Sequence, residues 1–341
     1  MRNAIVAGGA GFLGSHICDA LVKQGARVLC VDDLSTGAMR NIAHLVDHHG
    51  FHFLRHDVTQ PLPRQVKGSE IYNFACPASP TKYQRNPVQT AKTAFLGTMH
   101  LLEVARRTDA RFFQASTSEV YGDPEMHPQS EEYFGHVNPI GPRACYVESK
   151  RSSESLCMDY HRQFGVAIRI ARIFNTYGPR MDPHDGRVVS SFIVRALTDR
   201  QLTIHGDGFQ TRSFCYVDDL IGGVVALMNN SGSVTGPVNL GNPQECSIRA
   251  LAEHVARLTK IELKLCFAPR IPDDPSRRLP DISRAKALLK WEPRVTLVDG
   301  LLRTIAWLAQ RLKHGESSLS VTSQRSITGG KTISPFRSMP I

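Results

Sequence analysis

Three glycines constrain the chain most. Gly8, Gly11 and Gly14 stand between a short apolar run, Ala4-Ile5-Val6-Ala7, and a stretch from Ser15 to Gln24 in which Ile17, Ala20 and Leu21 recur at helical spacing. The run reads as a buried strand and the stretch as a helix. Strand, glycine turn and helix in direct succession form the setting in which a turn cradles the phosphates of a dinucleotide. Gly8 permits the tight turn, Gly11 lets the backbone approach a pyrophosphate, and Gly14 lets helix and strand pack closely. The helix N-terminus then faces the phosphates. The spacing is G-x-x-G-x-x-G rather than G-x-G-x-x-G.

The following segments extend this pattern into an alternation of strands and helices. Val28-Leu29-Cys30-Val31 reads as the second strand, ending at Asp32, eighteen residues beyond Gly14. A carboxylate about 20 residues on suits an adenosine ribose and repels a 2′-phosphate, which favours NAD over NADP. Phe51–Leu54 reads as the third strand, with Asp57 just past its end and placed to meet the adenine. Ile71–Phe74 reads as the fourth and runs into the turn-rich Ala75–Pro80. Ligands of doubly wound sheets collect at such strand ends. Pro87 to Arg107 reads as a long helix. Its Lys92 is open to two readings, a side chain directed at the site or a solvated surface lysine. Arg111–Ala115, the fifth strand, delivers Ser116-Thr117-Ser118-Glu119 to the same edge.

Beyond the break Pro139-Ile140-Gly141-Pro142 lies the expected chemistry. Tyr146 and Lys150 are four apart, so on a helix they share one face. An ammonium beside a phenol lowers its pKa from about 10 toward the working pH. Such a tyrosine takes a proton from a hydroxyl while hydride leaves the same carbon. The spacing alone is weak; its weight comes from the dinucleotide pattern upstream.

With 341 residues the chain holds one large α/β domain or two unequal lobes. No apolar run reaches the ~20 residues that span a bilayer, and the N-terminus has no signal-peptide layout. The eight cysteines include no C-x-x-C pair, so no metal is expected and reduced thiols in a cytoplasm fit best. The net charge is +10. The basic residues are dispersed and no nucleic-acid reader motif is present, so the charge is read as steering an anionic small substrate.

Gly8, Gly11, Gly14, Asp32, Asp57, Thr117, Tyr146 and Lys150 together resemble the extended short-chain dehydrogenase/reductase superfamily. Longer strings, above all STSEVYGDPEMHPQSEEYFGHVNPIGPRACY (Ser116–Tyr146), resemble the UDP-glucuronate decarboxylase family within it. The likeness runs from about residue 2 to 313. It implies a Rossmann-type doubly wound parallel sheet with a smaller C-terminal α/β lobe that closes over a nucleotide sugar. Residues 1–173 would form the NAD domain and 174–313 mainly the substrate lobe, interleaved with that core. It further implies NAD as cofactor, UDP-glucuronate as substrate and a homodimer packed through the Tyr146 helix and the Pro87–Arg107 helix. Phe12, Leu13, Val58 and Thr93 join the cofactor set. Asn175, Arg187, Arg212, Tyr216 and Arg278 join Lys92 as substrate residues; an arginine fork binds phosphate oxygens bidentately. Thr117, Ser118 and Glu119 join Tyr146 and Lys150 in catalysis, with Glu119 at the reacting carbon.

The chain also departs from the family pattern, in which Asp and Gly are usual where Val147 and Ser149 stand; Cys76 and Thr81-Lys82 differ too. A nucleotide-sugar 4,6-dehydratase would need an acid where Ser118 stands. A 4-epimerase would leave Glu119 idle. A silent NAD-binding regulator commonly lacks the Tyr or Lys. Residues 314–341, rich in Ser, Thr and Gly, read as disordered. A gel-shift titration at low and high salt is expected to give no salt-dependent retardation of nucleic acid.

Overall fold

Two faces of one strand organise the core. In β1 (Asn3–Ala7) Ala4 and Val6 belong to one apolar cluster and Ile5 and Ala7 to another, the period-two alternation of a strand buried on both sides. The structure, a computed structural model, describes residues 2–232 and 234–323. After β1 come α1 (Phe12–Lys23), β2 (Arg27–Asp32), β3 (Phe51–Arg55), β4 (Glu70–Asn73), the single turn α2 (Pro80–Tyr83), α3 (Pro87–Thr108), β5 (Arg111–Thr117), α4 (Ala144–Phe164) and β6 (Ile168–Ile173). The second part of the chain contains β7 (Thr176–Tyr177), α5 (Val188–Leu197), β8 (Leu202–His205), β9 (Thr211–Ser213), β10 (Cys215–Tyr216), α6 (Val217–Asn229), β11 (Pro237–Leu240), β12 (Glu245–Ser247), α7 (Ile248–Thr259), β13 (Leu265–Ala268), α8 (Ser283–Leu289) and α9 (Leu297–Ser323).

The main sheet has seven strands in the order β11-β6-β5-β4-β1-β2-β3, and every neighbouring pair is parallel. The order reverses between β1 and β4, which opens a crevice beyond their C-terminal ends. Two helix layers close the faces. Ile17, Cys18 and Leu21 of α1 lie with Leu220 and Val224 of α6 in one cluster; Leu101, Leu102 and Ala105 of α3 lie with Cys157 and Tyr160 of α4 in the other. This is the doubly wound sheet expected from the sequence.

The second part of the chain does not stand apart. Its β11 pairs with β6, Leu240 beside Ile173, and its α6 covers the sheet. What protrudes as the smaller lobe is α5 and α7 with three two-stranded ladders, β10–β7, β12–β9 and β13–β8. Helix α9 is described to Ser323; the rest of the stretch read as a disordered tail, residues 324–341, lies outside the described residues.

The glycine turn is fixed by close approach. A Cβ on Gly14 would lie 2.0 Å from the Gly8 carbonyl oxygen, and one on Gly8 would lie 2.7 Å from the Phe74 carbonyl carbon. Gly14→Ala must push α1 off β1. It is expected to cost about 1–3 kcal/mol, read as a lower urea midpoint at unchanged slope.

Candidate active site

The crevice at the strand reversal deepens into a cleft of about 720 Å³ between the sheet edge and the smaller lobe. Its floor is the glycine turn. Gly8, Gly11, Phe12, Leu13 and Gly14 all line it. Gly11 caps α1 without any side-chain hydrogen bond, so the first-turn N–H groups of a 12-residue helix are not engaged by a capping side chain. A Cβ at Gly11 would meet only the Gly8 carbonyl, at 3.1 Å; the rest of its surroundings is free for a ligand backbone. Asp32 ends β2 with its carboxylate 7% exposed. It accepts from Ala10 N at 2.9 Å and from Leu34 N at 2.8 Å. Burial pushes its pKa up, and these two N–H donors pull it back. Asp57 and Val58 line the same end, and Thr93 faces it from α3. Asp57 is oriented by accepting from Thr59 N at 2.9 Å. An uncapped helix N-terminus for phosphates, with a two-oxygen acceptor beyond it for ribose hydroxyls, fits a dinucleotide.

The opposite wall is built by the end of β5 and the start of α4. Thr117 Oγ1 accepts from Glu119 N at 3.2 Å, and its side chain favours the ionised Tyr146 phenol. Tyr146 is buried, and its ring lies parallel to that of Tyr83, 4.9 Å away and 3° from coplanar orientation. Burial pushes the Tyr146 phenol well above its usual range; Cys76, Glu119 and Tyr83 push the same way, and the Thr117 side chain opposes them. Lys150 Nζ donates to the Ala115 carbonyl at 2.8 Å and sits 5.9 Å from the Tyr146 ring centre. Its own pKa is lowered by burial. Among the protein's own influences on the phenol, desolvation is the largest.

Glu119 stands next along this wall, its side chain 17% exposed. Arg143 Nη2 donates to its Oε2 at 2.7 Å, and Arg278 Nη2 lies 3.6 Å from the same oxygen. Burial penalises the carboxylate, but Arg143, Arg278 and Arg212 together hold its pKa below the ordinary value. Glu119 is thus ionised at neutral pH. Ser118 also lines the cleft, and its carbonyl accepts from Arg278 Nη1.

Asn175, Arg187 and Arg212 reach the cleft from the second part of the chain. Asp185 holds Arg187, whose Nε lies 2.7 Å from its Oδ2 and whose guanidinium covers the Phe12 ring at 5.5 Å. Asp274 holds Arg212 at 2.6 Å. Three expected substrate residues are not on the wall. Lys92 is exposed on the outer side of α3, one residue of helical rotation away from Thr93. Tyr216 is packed between Tyr177, at 5.7 Å between ring centres, and Arg303, at 5.3 Å. Arg278 is 1% exposed and lies behind Glu119. Sequence reasoning missed Arg143 and Tyr83, both lining residues. The signal for Arg143 was its place, directly after the Pro139–Pro142 break and three residues before Tyr146. Among the described residues no cluster of His, Cys, Asp and Glu could hold a metal ion.

A family model described as GDP-mannose 4,6 dehydratase matches residues 5–304. UDP-glucuronic acid decarboxylase 1 of Xenopus tropicalis is 52% identical over 313 residues, 92% of this chain and 73% of that protein. UDP-glucuronic acid decarboxylase 6 of Arabidopsis thaliana is 52% identical over 87% of this chain and 86% of its own length. The chain belongs to the UDP-glucuronic acid decarboxylase family. Among solved structures, the UDP-glucuronic acid 4-epimerase of Bacillus cereus, in complex with UDP-glucuronic acid and NAD, superposes with a TM-score of 0.81 at 31% identity, covering 91% of this chain and 99% of that one.

Where this decarboxylase-family chain departs from the sequence pattern expected of the family, its side chains have local partners. Val147 packs with Tyr83 and Tyr146, and Cys76 lies against the same cluster. Ser149 Oγ donates to the Cys145 carbonyl at 2.7 Å, within α4. Thr81 Oγ1 donates to the Asp185 carbonyl at 2.7 Å, and Lys82 Nζ pairs with Asp182 at 2.6 Å. The last two join α2 to the loop before α5.

Glu119→Gln removes the carboxylate beside Arg278 and one of the two, Glu119 and Asp274, that pair with Arg143. A loss of about 3–5 kcal/mol is expected at pH 7, read by urea unfolding. The sign with pH follows from the depressed pKa. The stabilisation by Glu119 is full above the unfolded carboxylate value of about 4.3 and is lost as pH falls through the lower folded value. The gap between wild type and Glu119→Gln should therefore narrow on the acid side.

Proposed function

We propose that this chain decarboxylates UDP-glucuronate to UDP-xylose and carbon dioxide with a bound NAD that is regenerated in each turnover. One observation carries the proposal. The Tyr146–Thr117 hydroxyl pair and the ionised Glu119 stand on one wall, facing an uncapped glycine cradle across the same cleft. The decarboxylase-family membership and the NAD and UDP-glucuronic acid named for the Bacillus cereus neighbour point the same way.

A bound NAD would supply a reversible hydride acceptor for sugar carbon 4. The cradle, Asp32 and Asp57 would hold its pyrophosphate and adenosine. Tyr146 exchanges the proton of the 4-hydroxyl, and Thr117 orients that oxygen. A 4-ketone is β to the carboxylate on carbon 5, so carbon dioxide leaves as the carbon–carbon bond's electrons pass into an enolate. Two hydroxyl donors aimed at one oxygen suit that enolate, and the proton that Tyr146 takes from the 4-hydroxyl during oxidation is the one it donates back to that oxygen. The net change consumes one proton, which ends on carbon 5. Glu119, as a carboxylate, is an acceptor that holds a sugar hydroxyl or a water beside that carbon. Arg187, Arg212 and Asn175 supply contacts for the nucleotide and its phosphates.

The same proposal includes a homodimer through α3 and α4. Val88 and Phe95 of α3, 64% and 39% exposed, support it as apolar groups awaiting cover. It also includes a reducing, cytoplasmic setting, which the eight free cysteines favour. No helix of the described residues is long and apolar enough to cross a membrane.

Proton NMR of the protein with UDP-glucuronate and NAD tests the proposal. UDP-xylose is expected. A 4-epimerised uronic acid, or an unchanged spectrum from NAD-bound protein, would overturn it. Tyr146→Phe should lower turnover by about 100-fold or more while leaving NAD binding in place, checked by calorimetric titration of NAD.

A further inference from the structure

The reactive wall has two parts, and one guanidinium touches both. Arg143 is 8% exposed and immediately precedes α4. Its Nη2 donates to Glu119 at 2.7 Å, its Nε to the Tyr83 phenol at 2.9 Å, and its Nη1 to Asp274 at 3.0 Å. Tyr83, 1% exposed, stacks on Tyr146. The Arg143 carbonyl accepts from Tyr146 N and Val147 N, each at 3.1 Å. The backbone of Arg143 is thereby locked to the helix turn that carries Tyr146.

We propose that Arg143 is the positioning residue of this site. It fixes the Glu119 carboxylate in its ionised form beside the Tyr146–Thr117 pair, and through Tyr83 it holds the plane of the Tyr146 ring. Its premise is the decarboxylation proposed above.

The other groups facing Glu119 are held differently. Arg278 Nη2 is 3.6 Å away and makes no hydrogen bond, while its Nη1 donates to the Ser118 carbonyl. Arg212 is committed to Asp274 and to the Thr211 carbonyl. The phenols of Tyr83 and Tyr146 carry no charge, since burial pushes both up, Tyr83 to about 12. Asp274 is a like charge and shares Arg143 with Glu119. Arg143 is the cation in hydrogen-bond contact with Glu119. The planar fork serves four partners in fixed directions, the Asp273 carbonyl at 3.2 Å being the fourth; a lysine ammonium keeps the charge but not those directions.

The test compares wild type with Arg143→Lys, Arg143→Met and Tyr83→Phe. Turnover of UDP-glucuronate with NAD is followed across pH, and the Glu119 carboxylate band is titrated by infrared difference against Glu119→Gln. In Arg143→Met the carboxylate titration should move up by about one unit or more, and the acid limb of kcat should move with it. In Arg143→Lys kcat should fall about 100-fold with KM changed less than about threefold. Tyr83→Phe should leave the Glu119 titration in place and lower kcat. Added methylguanidinium should restore part of the kcat of an Arg143→Ala protein. A folded Arg143→Met protein that keeps wild-type kcat, or that loses it with the Glu119 titration unmoved, overturns the proposal, as does a Tyr83→Phe protein with wild-type kcat. If Arg143→Met does not fold, Arg143→Lys decides by kcat and by the same titration. A wild type that yields no UDP-xylose would count against the decarboxylation, while the infrared titration still judges Arg143, because it needs no turnover.

Discussion

The contact of Gly14 with the Gly8 carbonyl is the constraint on which the rest depends. It draws α1 onto β1 so closely that no side chain fits between them. That closeness aims the helix N-terminus at the crevice where the strand order reverses. On the other side of the reversal, β4 ends at Asn73 beside Gln114 of β5, and the three further residues of β5 reach Thr117. The reactive wall thus faces the cradle because of strand register, with no need for a long or special loop.

Charge in the cleft is arranged by burial as much as by pairing. The cleft carboxylates Asp32 and Glu119 shift in opposite directions. Asp32 has backbone donors alone and is pushed up; Glu119 has three guanidiniums and is held down. Tyr146 and Lys150 share a helix face as their spacing requires, yet burial dominates each of them, raising the phenol and lowering the ammonium. In such a site the protonation state of each group is set by how many charge partners can follow it out of water.

The legible part of this protein obeys local rules. The glycine spacing, the distance from Gly14 to Asp32, the strand ends and the Tyr146–Lys150 interval all depend on geometry within a few tens of residues. What escaped depends on distant packing. Lys92 and Thr93 are adjacent in sequence, but a helix rotates its residues by about 100° each, and the docking of α3 decides which one faces inward. Tyr216 belongs to a strand of two residues, too short for any pattern to tell the cleft from the core. Arg143 was not singled out, because its hydrogen bonds link segments 24, 60 and 131 residues away. No local spacing encodes such a hub.

The return of β11 to the main sheet makes the chain a poor candidate for dissection. Cutting it after β6 would leave Ile168–Ile173 with unpaired N–H and C=O groups along its outer edge, the template on which other chains add strands. It would also remove α6 and uncover the apolar face of α1. The fragment carrying every glycine of the cradle would then be prone to aggregate. The two lobes are accordingly one heritable unit. Recombination that exchanges substrate lobes between relatives must carry β11 and α6 with whichever sheet they close.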